Sequence, residues 1–121
     1  MGLDLALLPF DFEHEILSYS HSVLSCERRS ALFRAIATHC LSDQKQVPSN
    51  FASYLGRGEN EEHAYGKTLE TPYGDPLFHV SVENLLRVSS HKDVLDNSKN
   101  RAIWAYLKEL PPETRVALYW S

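Results

Sequence analysis

Apolar and polar positions change period several times along the chain, and each change marks an element. Leu3, Leu5 and Leu7 alternate with Asp4 and Ala6 until Pro9, which predicts a first strand. An acidic turn follows at Asp11, Glu13 and Glu15. Residues 16–24 alternate again, with Leu17, Tyr19, His21 and Val23 on one face and Ser18, Ser20 and Ser22 on the other. The period then shifts to three and four. Leu32, Phe33, Ile36, Ala37, Cys40 and Leu41 form one stripe, which predicts an amphipathic helix over 26–41 with Ser25 as its cap.

The middle of the chain is less periodic. Residues 42–50 read as a polar loop and Phe51–Leu55 as a short extended segment. Gly56 to Glu62 reads as an acidic loop. Two Tyr-Gly turns, Tyr65-Gly66 and Tyr73-Gly74, separate short extended pieces at 67–71 and 77–80. Ser81 can cap a helix over 82–89 carrying Val82, Leu85, Leu86 and Val88. Asp96 or Asn97 can cap a last helix with Ile103, Trp104, Tyr106, Leu107 and Leu110 on its buried side, stopped by Pro111-Pro112. Val116 to Trp120 is apolar on both faces, which places a terminal strand inside the sheet. Strands and helices without strict alternation predict an α+β fold: one domain over 1–121, a mixed and mostly antiparallel sheet, and about three helices packed on it.

Composition narrows the class. The 121 residues suit a single domain that buries a core without disulfides or metal. A net charge of −4 disfavours non-specific duplex binding, and no nucleic-acid-binding motif is present. The two cysteines, Cys26 and Cys40, fall fourteen residues apart on the predicted helix, too far for a disulfide, and read as free thiols in a reducing cytosol. The opening Met1–Leu5 has no basic segment, and no apolar run reaches the length of a membrane span. The expectation is therefore a cytoplasmic protein without a signal peptide.

Candidate chemistry is sparse. Gly66-Lys67-Thr68 resembles the end of a phosphate-binding loop, but the glycine needed five residues earlier is Glu61, and Pro72 interrupts the helix that must follow. The six histidines show no helical metal pair, so neither a metal nor a cofactor is expected. His79-Val80-Ser81 has the His-x-Ser form of two-histidine phosphoesterases, but His21-Ser22-Val23 does not supply the second copy. The simpler reading is a strand histidine before a helix cap. No catalytic residue is assigned. The densest polar cluster runs from His91 through Asn97, Lys99, Asn100 and Arg101 into the last helix, whose amino end suits an anion, a nucleotide or a protein contact. Tyr73, in a turn, joins these as a candidate contact residue.

Several stretches together carry a resemblance: Met1-Gly2-Leu3-Asp4-Leu5 with Leu8-Pro9-Phe10, Ser18-Tyr19-Ser20-His21, Thr71-Pro72-Tyr73-Gly74-Asp75-Pro76-Leu77, and the tail from His91-Lys92 to Tyr119-Trp120. With these the chain resembles small uncharacterised proteins of bacteriophages and prophages. The resemblance implies an accessory protein in a bacterial host cytoplasm that acts by binding, in host takeover or counter-defence. Its target would be a host protein or a small signalling nucleotide, held at Tyr73, His91, Asn97, Lys99, Asn100 and Arg101. The alternatives are a small phosphoesterase or other hydrolase using His21, His79 or His91, and a virion assembly component. A homo-oligomer is compatible with each.

Overall fold

The computed structural model describes residues 4–10, 18–20, 22–28, 30–53, 66–90 and 94–121. Among them lie eight strands and three α-helices: β1 Leu5–Phe10, β2 Ser18–Ser20, β3 Leu24–Ser25, α1 Ser30–Cys40, β4 Lys45–Gln46, β5 Phe51–Ser53, β6 Gly66–Lys67, β7 Phe78–Ser81, α2 Val82–Val88, α3 Ser98–Lys108 and β8 Arg115–Trp120. A 3-10 turn, Leu41–Asp43, follows α1. The fold is α+β.

Five strands form an antiparallel sheet in the order β3-β1-β8-β7-β4, and three form a small second sheet in the order β2-β5-β6. The terminal strand is central, as its two apolar faces require. β1 pairs with it from Leu5↔Trp120 to Phe10↔Arg115, and β7 from Phe78↔Leu118 to Ser81↔Arg115. Alternation then sorts the side chains. Leu5, Leu7, Val80, Val116 and Leu118 face the helices, where they meet Leu32, Ile36, Leu85, Ile103, Trp104 and Leu107. Leu8, Phe10 and Ala117 face the other way and pack with Val47, Phe51 and Leu77. The large sheet is thus covered on one face by helices and on the other by β5 and the 69–77 hairpin.

Local chemistry explains the element ends. Ser81 Oγ accepts the Asn84 N–H at 3.2 Å and Asn97 Oδ1 accepts the Asn100 N–H at 2.9 Å, so both expected caps form. The hairpin closes through Thr71 and Asp75, with the Gly74 N–H donating to Thr71 O at 3.0 Å. Pro72 opens this turn, and Gly74 takes φ 85°, a region that favours glycine.

Several local expectations need correction. The first strand does not stop at Pro9 but runs on to Phe10, with Pro9 opposite Val116, and Leu41 and Tyr106, expected on buried helix faces, are exposed. Residues 16–24 are not one strand. Ser20 Oγ donates to Ser22 O at 2.9 Å and accepts from the Ser22 N–H at 3.4 Å, a hydroxyl-closed turn that sends β2 and β3 into different sheets. The first helix begins at Ser30 rather than 26, so Ser25 is a strand residue and Cys26 lies before the helix. The reason is that the Cys26 N–H donates to Leu5 O at 2.9 Å, which extends the pairing with β1. Residues 42–50 are not wholly loop, because Lys45 and Gln46 pair with His79 and Phe78. The expected acidic loop 56–62, Tyr65, His21 and His91 lie outside the described residues.

Candidate functional site

The first turn of α3 meets the segment that follows β3. Asn100, fully buried, is the joint. Its Oδ1 accepts the Glu27 N–H at 2.7 Å and its Nδ2 donates to Glu27 O at 3.2 Å. One side-chain amide thereby satisfies both backbone groups of a residue 73 positions away. This holds the segment at Glu27 against the first turn of α3.

A cleft of about 510 Å³ lies at this junction, and Asp4, Ser25, Cys26, Glu27, Arg28 and Lys99 are among the residues that line it. Arg28 donates from Nε and Nη2 to Asp4 Oδ1 at 3.1 and 2.7 Å, which fixes the plane of its half-exposed guanidinium. Glu27 and Lys99 are exposed, and neither side chain makes an ion pair among the described residues. Burial pushes the Cys26 thiol up to about 12, against the pull of the Lys99 ammonium, so it stays protonated at neutral pH. Cys40 is likewise raised to about 11 by burial, with the Asp43 charge adding to it.

Of the expected contact residues, Lys99 and Asn100 converge here, one in the wall and one behind it. Asn97 caps α3 directly below them. Arg101 turns elsewhere, donating from Nη1 to Leu95 O at 3.0 Å. Tyr73 is 58% exposed at the tip of the hairpin whose flanks, Leu69 and Leu77, pack in the second core, on the other side of the sheet from α3. Asp4, Glu27 and Arg28 were not singled out in the sequence. The cue to Glu27 and Arg28 is a charged pair directly after a cysteine; Asp4 is one polar position in a strand alternation.

A second polar cluster sits where the 3-10 turn, β7, β8 and the start of α2 meet. Arg115 donates from Nε to His79 Nδ1 at 2.9 Å and from Nη1 to Asp43 Oδ1 at 3.2 Å. Asp43 Oδ2 also accepts the Ser81 N–H at 2.6 Å and the Asn84 amide at 3.0 Å. The His79 ring is 3% exposed and stands edge-on to Phe10 at 5.3 Å. Burial, reinforced by the Arg115 charge and only partly offset by Asp43, lowers its pKa to about 4. Burial alone would raise the Asp43 pKa, but the Ser81 and Asn84 hydrogen bonds and the Arg115 charge outweigh it and hold the carboxyl below its ordinary value. In the His79-Val80-Ser81 tripeptide, the histidine is thus a buried, neutral acceptor and the serine a helix cap. Among the described residues no three His, Cys, Asp or Glu side chains gather as a metal-binding group.

This cluster makes stability depend on pH. The unfolded chain protonates His79 near its ordinary value of about 6.5, whereas the folded chain waits until about 4. Stability is therefore complete above pH ~6.5 and falls by about 3 kcal/mol as the pH drops through that window. Asp43 adds a further loss at lower pH, once its ordinary carboxylate range is passed. Urea unfolding across the window measures this. His79→Gln should flatten the slope, and an unchanged slope would remove the assignment to His79.

The fold and cleft together define an α+β domain with helices on one face of a five-stranded sheet, a smaller sheet on the other, and a charged cleft at the start of the last helix. Compared with known proteins, the chain matches no family model, no curated protein and no solved structure. Among the described residues no helix is long and apolar enough to cross a membrane.

Proposed function

We propose that the chain acts by binding a small charged molecule, and that the cleft between α3 and residues 25–28 is its site. The observation that carries this is the pair of exposed charged side chains, Lys99 and Glu27, on the walls of a cleft of about 510 Å³, neither in an ion pair among the described residues. That volume falls within the usual range of small-molecule pockets. The Asn100 amide holds the wall in place before any ligand arrives, which lowers the ordering cost of binding. With the phage resemblance, the role is that of an accessory protein in host takeover or counter-defence, withdrawing a molecule from the host.

Native mass spectrometry of protein purified from a bacterial host tests the site. The expected result is a retained mass that denaturation releases and that is lost from Ser25→Trp, in which an indole fills the cleft. A passenger retained by the folded Ser25→Trp variant, or none captured even after incubation with host metabolites, overturns the reading. A host protein as target is the second reading. It is favoured by Tyr73, an exposed aromatic on a turn pinned by Thr71, whose Oγ1 accepts from the Tyr73 and Asp75 N–H groups at 3.3 and 3.4 Å. A defined protein partner retained by Ser25→Trp but lost from Tyr73→Ala would select it.

A further inference from the structure

We infer that the ligand of the cleft is a guanine nucleotide, an assignment that rests on the cleft being the binding site. Three groups on its walls supply different parts of the recognition.

The first is Arg28. A guanidinium stacks on a nucleobase when its plane is held still and left accessible. The Asp4 carboxylate takes both Nε and Nη2, so the plane is fixed, while the side chain remains half exposed. Among the described residues no aromatic ring lines the cleft, and this guanidinium is the planar surface they offer to a base.

The second is Lys99. Its ammonium stands in the first turn of α3, exposed and without an ion pair among the described residues. It suits a phosphate as a point charge on a flexible stem. It lines the cleft together with Cys26, Glu27 and Arg28.

The third is Glu27, which decides among the bases. An ionised carboxylate only accepts hydrogen bonds, through two oxygens side by side. Guanine presents two adjacent donors on its Watson–Crick edge, the ring N–H and the exocyclic amino group, and a carboxylate can take both. Adenine and cytosine each offer an amino group beside an acceptor, so one carboxylate oxygen would face a lone pair. Uracil offers a single ring N–H between two carbonyls. Because Asn100 grips the N–H and C=O of Glu27 itself, the backbone carrying this carboxylate is fixed relative to Lys99, one residue before Asn100. Base edge and phosphate are therefore read by two neighbours of a single clamp.

Isothermal titration calorimetry on the full chain tests the assignment with guanosine, adenosine and cytidine monophosphates, guanosine and inorganic phosphate. Guanosine monophosphate should bind with one-to-one stoichiometry. The other two nucleotides, and guanosine or phosphate alone, should bind at least about tenfold more weakly, the factor that corresponds to ~1.4 kcal/mol. Lys99→Glu should abolish binding. Glu27→Gln should erase the preference for guanine while keeping phosphate-dependent binding. Both side chains are exposed, so these variants should melt as the parent does; if Lys99→Glu does not, Lys99→Ala replaces it. Equal binding of all three nucleotides overturns the role of Glu27 and with it the assignment. No binding at millimolar guanosine monophosphate overturns the assignment as well. In that case a passenger lost from Ser25→Trp would still uphold the cleft as a site for another molecule, so the two readings fail separately.

Discussion

Trp104→Ala should lower the melting temperature by roughly 12–20 °C, the largest effect of any single substitution considered, following a loss of about 4 kcal/mol. Trp104 is the largest fully buried side chain of the molecule and lies in the core beneath the helices. Truncation removes its packing and leaves a cavity between α3, α2 and the sheet. It also removes a hydrogen bond, because Trp104 Nε1 donates to Leu85 O at 2.8 Å inside α2. That bond makes the indole a positional lock as well as a filler. Trp104→Phe separates the two contributions: it keeps most of the volume and should cost less than half as much. Calorimetric melting of both variants measures this. A shift under ~5 °C for Trp104→Ala would show that α3 repacks freely and that the indole is not its anchor.

Asp43→Ala should cost roughly 2–3 kcal/mol in urea unfolding. The carboxylate joins three elements: it accepts from Ser81 and Asn84 at the start of α2 and from Arg115 in β8. Its removal leaves the Arg115 guanidinium without its counter-charge beside the His79 ring. Arg115 and Asp43 side chains retain 16% and 21% of their exposure, so water relieves part of that penalty, and the value sits below that of a fully enclosed pair. Arg115→Met in the Asp43→Ala background should recover part of the loss, since the stranded charge is then gone. If the double variant is as unstable as the sum of the two single ones, the coupling is absent and Asp43 acts only through α2.

Elements whose cause is local were legible in the sequence. β8 could be placed inside the sheet because Val116 and Leu118 on one face and Ala117 and Tyr119 on the other leave no side for water. α2 and α3 could be bounded because a cap needs only a side chain and an amide three residues on, as Ser81 with Asn84 and Asn97 with Asn100 supply. Elements decided at a distance were not. Cys26 to Arg28 fall within the helix predicted over 26–41, yet β1 and Asn100 claim the backbone of Cys26 and Glu27 first. The division into two sheets turns on two serine contacts that look like ordinary strand alternation. The candidate site divides the same way. Lys99 and Asn100 were visible in a dense polar cluster, whereas Asp4, Glu27 and Arg28 reach it only through pairing and one amide. The Asp43–Arg115 pair, 72 positions apart, left no pattern at all.

The Asn100 amide has one more consequence. Among the described residues β3 is one of the two edge strands of the large sheet, and because Cys26 turns its N–H inward to Leu5, Glu27 turns its own N–H and C=O outward. An exposed donor and acceptor so placed invite a second chain to add itself as another strand, the first step of aggregation. Asn100 occupies both groups with the donor and acceptor that an incoming strand would offer. A single buried side chain thereby keeps this margin of the sheet closed to unwanted association.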